Sequence, residues 1–416
     1  MKNYFPNLSK ILIILFAIAC TPEGENSPME PNLRTLEAHE VETVEASSKF
    51  AVDLFQQLRK GDHSNQFYSP YSIHLALSMA MNGNEGEALE EFKQILGLEG
   101  QTLEEANRGA KELTEFLLQV DQKVKMSIAN AIWYREDYRV KVPFLATAQD
   151  DYNAEVSGID VFNPESVHII NNWIEKQTEG HIMDMLDIIP ADAVMYLVNA
   201  IYFKADWTYQ FDPKNTKKEP FHVTPTQQVE VDMMAMEKPA TLKSFNTGNY
   251  HYLEIPYSTG QYSMGILLPY GEDLEAIEEE FTEENLALWR NQATERNILL
   301  KMPKFKLKHK MENMKEDLMA MGLKIPFGFD SRNFTELFDN PTDLLKISRV
   351  IHDAVIEVDE KGSEAAAATI VEVVELTSMP SGPQTITLDR PFVFFIQEKH
   401  SGAILFIGKI VDPSLL

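Results

Sequence analysis

With a single cysteine in 416 residues, Cys20, the chain has no disulfide framework and no cysteine-based metal site. Its ten histidines are scattered, without His-Glu-x-x-His or related ligand spacing. Gly-x-Ser-x-Gly elbows and glycine-rich phosphate or oxyanion loops are missing, so acyl and phosphoryl transfer lack their usual scaffolds. No cofactor motif is present, and none is expected to be needed. Basic charge is scarce: 37 Lys and Arg stand against 64 Asp and Glu, a net charge of −27. Without clustered cations, nucleic acid is excluded as a partner. Linkers are lacking too. No Gly/Ser-rich or Pro-rich stretch interrupts the chain after about the first forty residues, and 44% hydrophobic residues suffice for one large core.

The N-terminus carries the only leader-like pattern. Lys2 and Lys10 precede the apolar run Ile11 to Ala19, which is too short for a mature transmembrane helix and suits the apolar core of a signal peptide. Ala17-Ile-Ala-Cys20 resembles a bacterial lipobox without the usual leucine at its first position. On that reading residues 1–19 are removed, Cys20 is acylated, and the protein is exported and lipid-anchored at a membrane or cell surface. A plain secretory signal with an incidental cysteine is the alternative. Removal would leave 35 basic against 64 acidic side chains, or −29. Residues 20–44, rich in Pro and Glu, are expected to be a disordered tether ahead of a single domain over 45–416.

The stretch Val355 to Pro391 holds the strongest local conflict. Four alanines, Ala365 to Ala368, favour helix, while Thr369, Ile370, Val371, Val373 and Val374 favour strand. In steps of two, Ser363, Ala365, Ala367, Thr369, Val371 and Val373 make an uncharged face fit for burial. The alternate face, with Glu364 and Glu372, is expected to meet water. Met379-Pro-Ser-Gly-Pro383 cannot enter a sheet interior, so a strand from this segment ends near Thr377.

These residues resemble the hinge and reactive loop of the serpins, inhibitors of serine and sometimes cysteine proteases. Glu360-Lys-Gly-Ser-Glu-Ala-Ala-Ala-Ala-Thr369 is similar to the hinge of inhibitory members, and Ile386 to Ile396 to the C-terminal signature. Asn65 to Ile73, Asn199 to Trp207 and Ile404 to Pro413 extend the resemblance, in the family's order, over residues 45 to 416.

The resemblance implies an α+β fold of about three sheets and eight to nine helices, with an exposed loop over about 360–385. It implies a suicide-substrate inhibitor, no enzyme, in which hinge residues Glu360, Gly362, Ser363, Glu364, Ala365, Ala366, Ala367, Ala368 and Thr369 enter the large sheet after cleavage at Leu376-Thr377. Over Glu360 to Leu376 a strand reaches roughly 55 Å. Leucine before the scissile bond points to chymotrypsin-, elastase- or subtilisin-like proteases as partners of a monomeric inhibitor. A non-inhibitory binding or scaffold protein of the same fold is the alternative, and a substrate without trapping is another. The family also implies a hydrogen-bonded cluster of Ser69, Ser72, Asn199 and His352 beneath the point where the sheet opens. A catalytic reading of His352 with Asp353 and Ser69 or Ser363 fails for lack of an elbow or oxyanion loop.

Periodicity fills in the rest. A helix carries Phe50, Ala51, Leu54, Phe55 and Leu58 and stops at Gly61; one opening at Ser69-Pro70 is apolar on almost every side and belongs in the interior. Val124 to Tyr134 and Val194 to Phe203 read as strands. A helix from Asn163 turns Ile169, Ile170, Trp173 and Ile174 inward, and in the family it crosses the large sheet. Strands are expected within 252–269, 298–307 and 386–411, helices within 274–288 and 311–323. The acidic run Glu275 to Glu284 reads as a solvated helix face.

Overall fold

The computed structural model describes residues 30–190, 193–271, 273–328, 333–339, 345–363 and 382–415. In chain order its elements are α1 (Ala38–Leu58), β1 (Gln66–Tyr68), α2 (Pro70–Met81), α3 (Gly86–Leu96), α4 (Leu103–Gln119), β2 (Lys125–Arg135), α5 (Val142–Tyr152), β3 (Glu155–Ile159), α6 (Glu165–Gln177) and β4 (Met195–Asp206). There follow β5 (Lys217–Thr224), β6 (Gln227–Ala235), β7 (Ala240–Asn246), β8 (Tyr250–Pro256), β9 (Tyr262–Pro269), α7 (Leu274–Glu279), α8 (Glu283–Gln292), β10 (Thr294–Pro303) and β11 (Phe305–Met311). The last are α9 (Lys315–Met321), β12 (Arg349–Val358), β13 (Gly362–Ser363), β14 (Gln384–Thr387), β15 (Phe392–Glu398) and β16 (Ile404–Ile410).

Two sheets organise the α+β fold. The larger runs β1-β16-β15-β9-β8-β7-β10-β6-β5, with β14 also on β10; the smaller runs β11-β12-β13-β4-β2-β3. Strand β10 joins what would otherwise be two sheets: its first half pairs with β7 and its second with β6, while Ile298–Lys301 also take β14 in parallel. The main core lies against one face of the smaller sheet and holds α2, whose twelve residues are all buried. Ser69 caps that helix, its Oγ accepting from Ser72 N–H, with Pro70 at the first helical position. A second core, containing Trp133, Tyr196, Val198, Ala200 and Ile351, lies on the sheet's other face beneath Ile170 and Ile174 of α6.

Four sequence expectations change. Residues 38–44, expected to belong to a tether, are helix, anchored by buried Thr43 and Val44. Buried Glu40 at the third helical position closes a capping box with Glu37 and takes a bidentate bond from Arg34. Helix α6 forms, but Ile169 is 51% exposed, since Ile170 and Ile174 already fill the side facing the sheet. The acidic run 275–284 is split by a break after Glu279, and Glu278 is buried, its carboxylate held 3.0 Å from Lys409 Nζ. Finally, the far end of the segment expected to be loop, Gln384 and Thr385, belongs to β14.

Candidate functional site

The site is the seam between β4 and β12, the two central strands of the six-stranded sheet; the sheet that takes Gly362 and Ser363 is thus the smaller of the two and not, as expected, the large one, because β10 merges the other strands into one sheet of ten. At one end they pair directly and in parallel, through five residue pairs from Arg349–Tyr196 to Asp353–Ala200. Over the next four residues of each, 201–204 and 354–357, no direct pairing occurs. At the other end β13 fills the seam: Ser363 pairs with Val358 on one side and Ala205 on the other, antiparallel to both. A cavity of about 20 Å³, lined by Ile201, Tyr202 and Phe203 from one strand and Val355 and Glu357 from the other, marks the open stretch. It has room for about one water.

The filled end is held by contacts that read directly on the hinge. After β12, Asp359 caps a tight turn, its carboxylate accepting from the N–H groups of Lys361 (2.9 Å) and Gly362 (3.1 Å). Trp207 N–H donates to Lys361 O at 2.6 Å, Phe211 N–H to Glu360 O at 2.8 Å and the Trp207 indole N–H to Asp359 O at 3.0 Å. Gly362 is required by close approach: a Cβ there would lie 2.1 Å from Ala205 O and 2.5 Å from Asp206 Cα. Ser363 is buried, its hydroxyl 2.8 Å from that of Tyr257, which stacks on Trp207 with ring centroids 4.3 Å apart. Glu360 accepts from Thr216 at 2.7 Å and from Lys304 at 3.0 Å. Burial opposes its charge, but those two bonds hold its carboxyl below the ordinary range.

Beneath the paired end the four residues expected to cluster do meet, around the start of α2. Ser69 N–H donates to His352 Nε2 at 2.9 Å, which fixes the neutral ring with its proton on Nδ1. Ser69 Oγ donates to Leu405 O at 2.6 Å and accepts from Ser72 N–H at 3.2 Å. Ser72 Oγ donates to Asn199 Oδ1, and Asn199 Nδ2 donates to Asn130 Oδ1 at 2.8 Å. The helix start thus touches β12 through His352 and β4 through Asn199, clasping the two strands across their seam. Burial drives the His352 pKa down to about 3, so the ring is neutral at physiological pH. No serine in this cluster contacts a base in the manner of a catalytic nucleophile: Ser69 meets His352 through its backbone, and Ser72 meets an amide.

Of the remaining expected site residues, Glu364, Ala365, Ala366, Ala367, Ala368, Thr369, Leu376, Thr377 and Cys20 lie outside the described residues. The hinge partners Trp207, Thr216, Tyr257 and Lys304 escaped sequence reasoning. Trp207 ends the Asn199–Trp207 stretch, but no spacing in the sequence ties it to residue 361.

Comparison with known proteins gives one consistent picture. The family model for Serpin (serine protease inhibitor) matches residues 45–413. An uncharacterized serpin-like protein of Methanosarcina acetivorans is 32% identical, covering 98% of this chain and 99% of its own. Human Serpin B4 is 33% identical, covering 89% of this chain and 99% of its own. Among solved structures, human thyroxine-binding globulin complexed with thyroxine superposes with a TM-score of 0.82 at 27% identity, over 90% of this chain and 100% of that one. Tengpin, a thermophilic serpin in its native state, gives 0.81 at 28% identity over 91% and 95%.

Proposed function

The chain belongs to the serpin family, and from that premise we propose that it is an irreversible suicide-substrate inhibitor of serine proteases with apolar primary specificity. The observation that carries this reading is the half-open seam, already occupied at one end by Gly362 and Ser363 in register with both flanking strands. Continued in that register, Glu364 to Ala367 run through the four open positions. Ala368 is then the first residue to separate a closed pair, Asp353–Ala200, and Thr369 comes between His352 and Asn199. After Glu364 only alanine side chains enter before the first bond of the closed end breaks, so sterics offer little barrier. In the same register Ala368 and Ile370 would fall on the α6 side, beside Ala200, Val198 and Ile351 of the second core, and Glu372 beside Arg349, whereas the sequence alone turns that face to water.

The chemistry up to trapping is the protease's own. Its serine attacks the Leu376 carbonyl, the Leu376–Thr377 bond breaks, Thr377 leaves as a free amine, and Leu376 stays esterified to the enzyme. Insertion of the freed strand then carries the acyl-enzyme along the sheet before water reaches the ester. A binding protein without trapping is the second reading, favoured by the likeness to thyroxine-binding globulin. Against it stand Ala365 to Ala368, since bulky or charged residues there would block insertion. Incubation with chymotrypsin-, elastase- and subtilisin-like proteases separates the readings. Trapping yields a complex stable to boiling in detergent and a released peptide beginning at Thr377; a simple substrate yields the peptide alone, a binding protein neither.

The proposed setting is outside the cytoplasm, on a lipid anchor at Cys20. Cys20→Ser is then expected to move the protein from the membrane pellet to the soluble fraction. Continued sedimentation with membranes counts against acylation.

A further inference from the structure

Asp353 sits at the point where the seam begins to part, as the last residue of β12 that pairs directly with β4. Its side chain is fully buried, and among the described residues neither carboxylate oxygen has a well-formed hydrogen-bond partner, although the Ala354 N–H lends the charge some support. Strand alternation turns it, with Ile351 and Val355, toward the second core beneath α6. We propose that Asp353 is a positioning residue for sheet opening: its buried carboxylate favours separation of β12 from β4 at neutral pH, and protonation steadies the closed seam. This rests on the strand-insertion reading above and adds to it a residue that sets how readily the seam opens.

The surroundings compensate the charge only in part, and burial outweighs them. From β11, Lys310 pairs directly with Asp353 and Lys308 stands two residues along on the same face; both favour the charged carboxyl, but neither bonds it, and Lys310 Nζ is engaged at 3.3 Å by Asp187 and at 3.5 Å by Glu312. From β4, Ala200 lies directly across, flanked by Val198 and by Tyr202, whose ring stacks on His181. The α6 side supplies Ile170, Ile174, Ile182, Met185 and Leu186, all apolar. His352 alternates to the opposite face, where His309 is its titratable neighbour. A carboxylate so placed is stabilised by anything that admits water, and parting of the Asp353–Ala200 pair does that.

Burial pushes the Asp353 pKa up to about 6. The sign follows from linkage. A carboxyl raised in the closed state imposes no penalty below its ordinary pKa, a growing one as pH rises toward 6, and the full one above. If opening restores an ordinary carboxyl pKa, the opening equilibrium is about tenfold more favourable at pH 7.5 than at pH 5.0 on this account alone. His352 acts oppositely, since a buried neutral imidazole resists acid. Its contribution is common to the wild type and to any Asp353 variant, so it cancels in their ratio.

Amide hydrogen exchange of β4 and β12 in the full chain, for wild type and Asp353→Asn at pH 7.5 and 5.0, tests the proposal without any protease. The expected result is a wild-type to variant exchange ratio about tenfold larger at pH 7.5 than at pH 5.0. Asp353→Ala, which removes the buried polar group and fits beside Ala200, carries the same test if the asparagine variant does not fold. A ratio equal at the two pH values overturns the role of Asp353, whether or not the protein traps proteases. A pH-dependent ratio in a protein that forms no covalent complex overturns the inhibitor reading and leaves this one standing.

Discussion

The two ends of the β4–β12 seam are secured in different ways. The paired end is closed by backbone pairing and by a clasp from α2, in which Ser69 holds His352 and Ser72 holds Asn199. The filled end is held by the chain's own hinge, through Glu360, Gly362 and Ser363 with their partners Thr216, Lys304 and Tyr257. Bonds at the paired end join two strands already in the sheet and are lost when the seam opens. Those at the filled end seat the first residues of a strand not yet added, and survive its addition. On the proposed strand-insertion reading, opening is directional: it would proceed from the hinge toward the clasp, with the barrier at the clasp.

The largest disturbance of this contrast is Ser363→Arg. It removes the bond to Tyr257 and asks the filled end to bury an unpaired cation, an effective penalty of several kcal/mol. Acylation at the proposed Leu376–Thr377 bond would not involve this position. The expected outcome is complete loss of the detergent-stable complex with cleavage continuing at the same bond, and no gain in heat stability after cleavage. Stoichiometric trapping by this variant would refute strand insertion from the hinge.

A smaller effect is expected from Asn199→Ala, which loosens the clasp. It leaves Ser72 Oγ and Asn130 Oδ1 without their partner in a buried site, worth about 1–3 kcal/mol. Denaturant titration of the intact protein should show its first transition moved to lower concentration. An unchanged midpoint would mean that the clasp does not hold the seam.

Smallest is Glu360→Gln, which keeps the shape but weakens the charge-assisted bond to Lys304 by about 1 kcal/mol. The sign of its pH dependence is fixed. A carboxyl held below its ordinary pKa contributes stability that is present above that pKa and disappears as pH falls through the folded-state value. Wild type and variant should differ in exchange of the Gly362 and Ser363 amides at pH 7 and converge in acid. Persistence of the difference at low pH would assign the effect to something other than this charge.

Much of the architecture was legible because periodicity reports which side of an element is apolar. Apolar residues on every side of α2 require an interior helix, and the run Val194 to Phe203 requires a strand covered on both faces. Alternation from Ser363 marked its inward face, where the serine is indeed buried. The single-residue error at Ile169 has the same root, because adjacent helical positions point about 100° apart and only one of Ile169 and Ile170 can face the sheet.

By itself, then, the sequence determined the most periodic strands and helices, the capped start of α2 and the family, since each depends on residues near one another in the chain or on motifs in a fixed order. Tertiary structure alone decided which residues meet. Lys304 reaches Glu360 across 56 positions, Tyr257 reaches Ser363 across 106, and Lys409 pairs with Glu278 across 131. Asp353 looked like any charge in a strand until β11 and β4 closed on either side of it and α6 lay over its face. Local pattern tells a side chain which way to point, but what lies there is set by which strands become neighbours, and that order belongs to the whole fold.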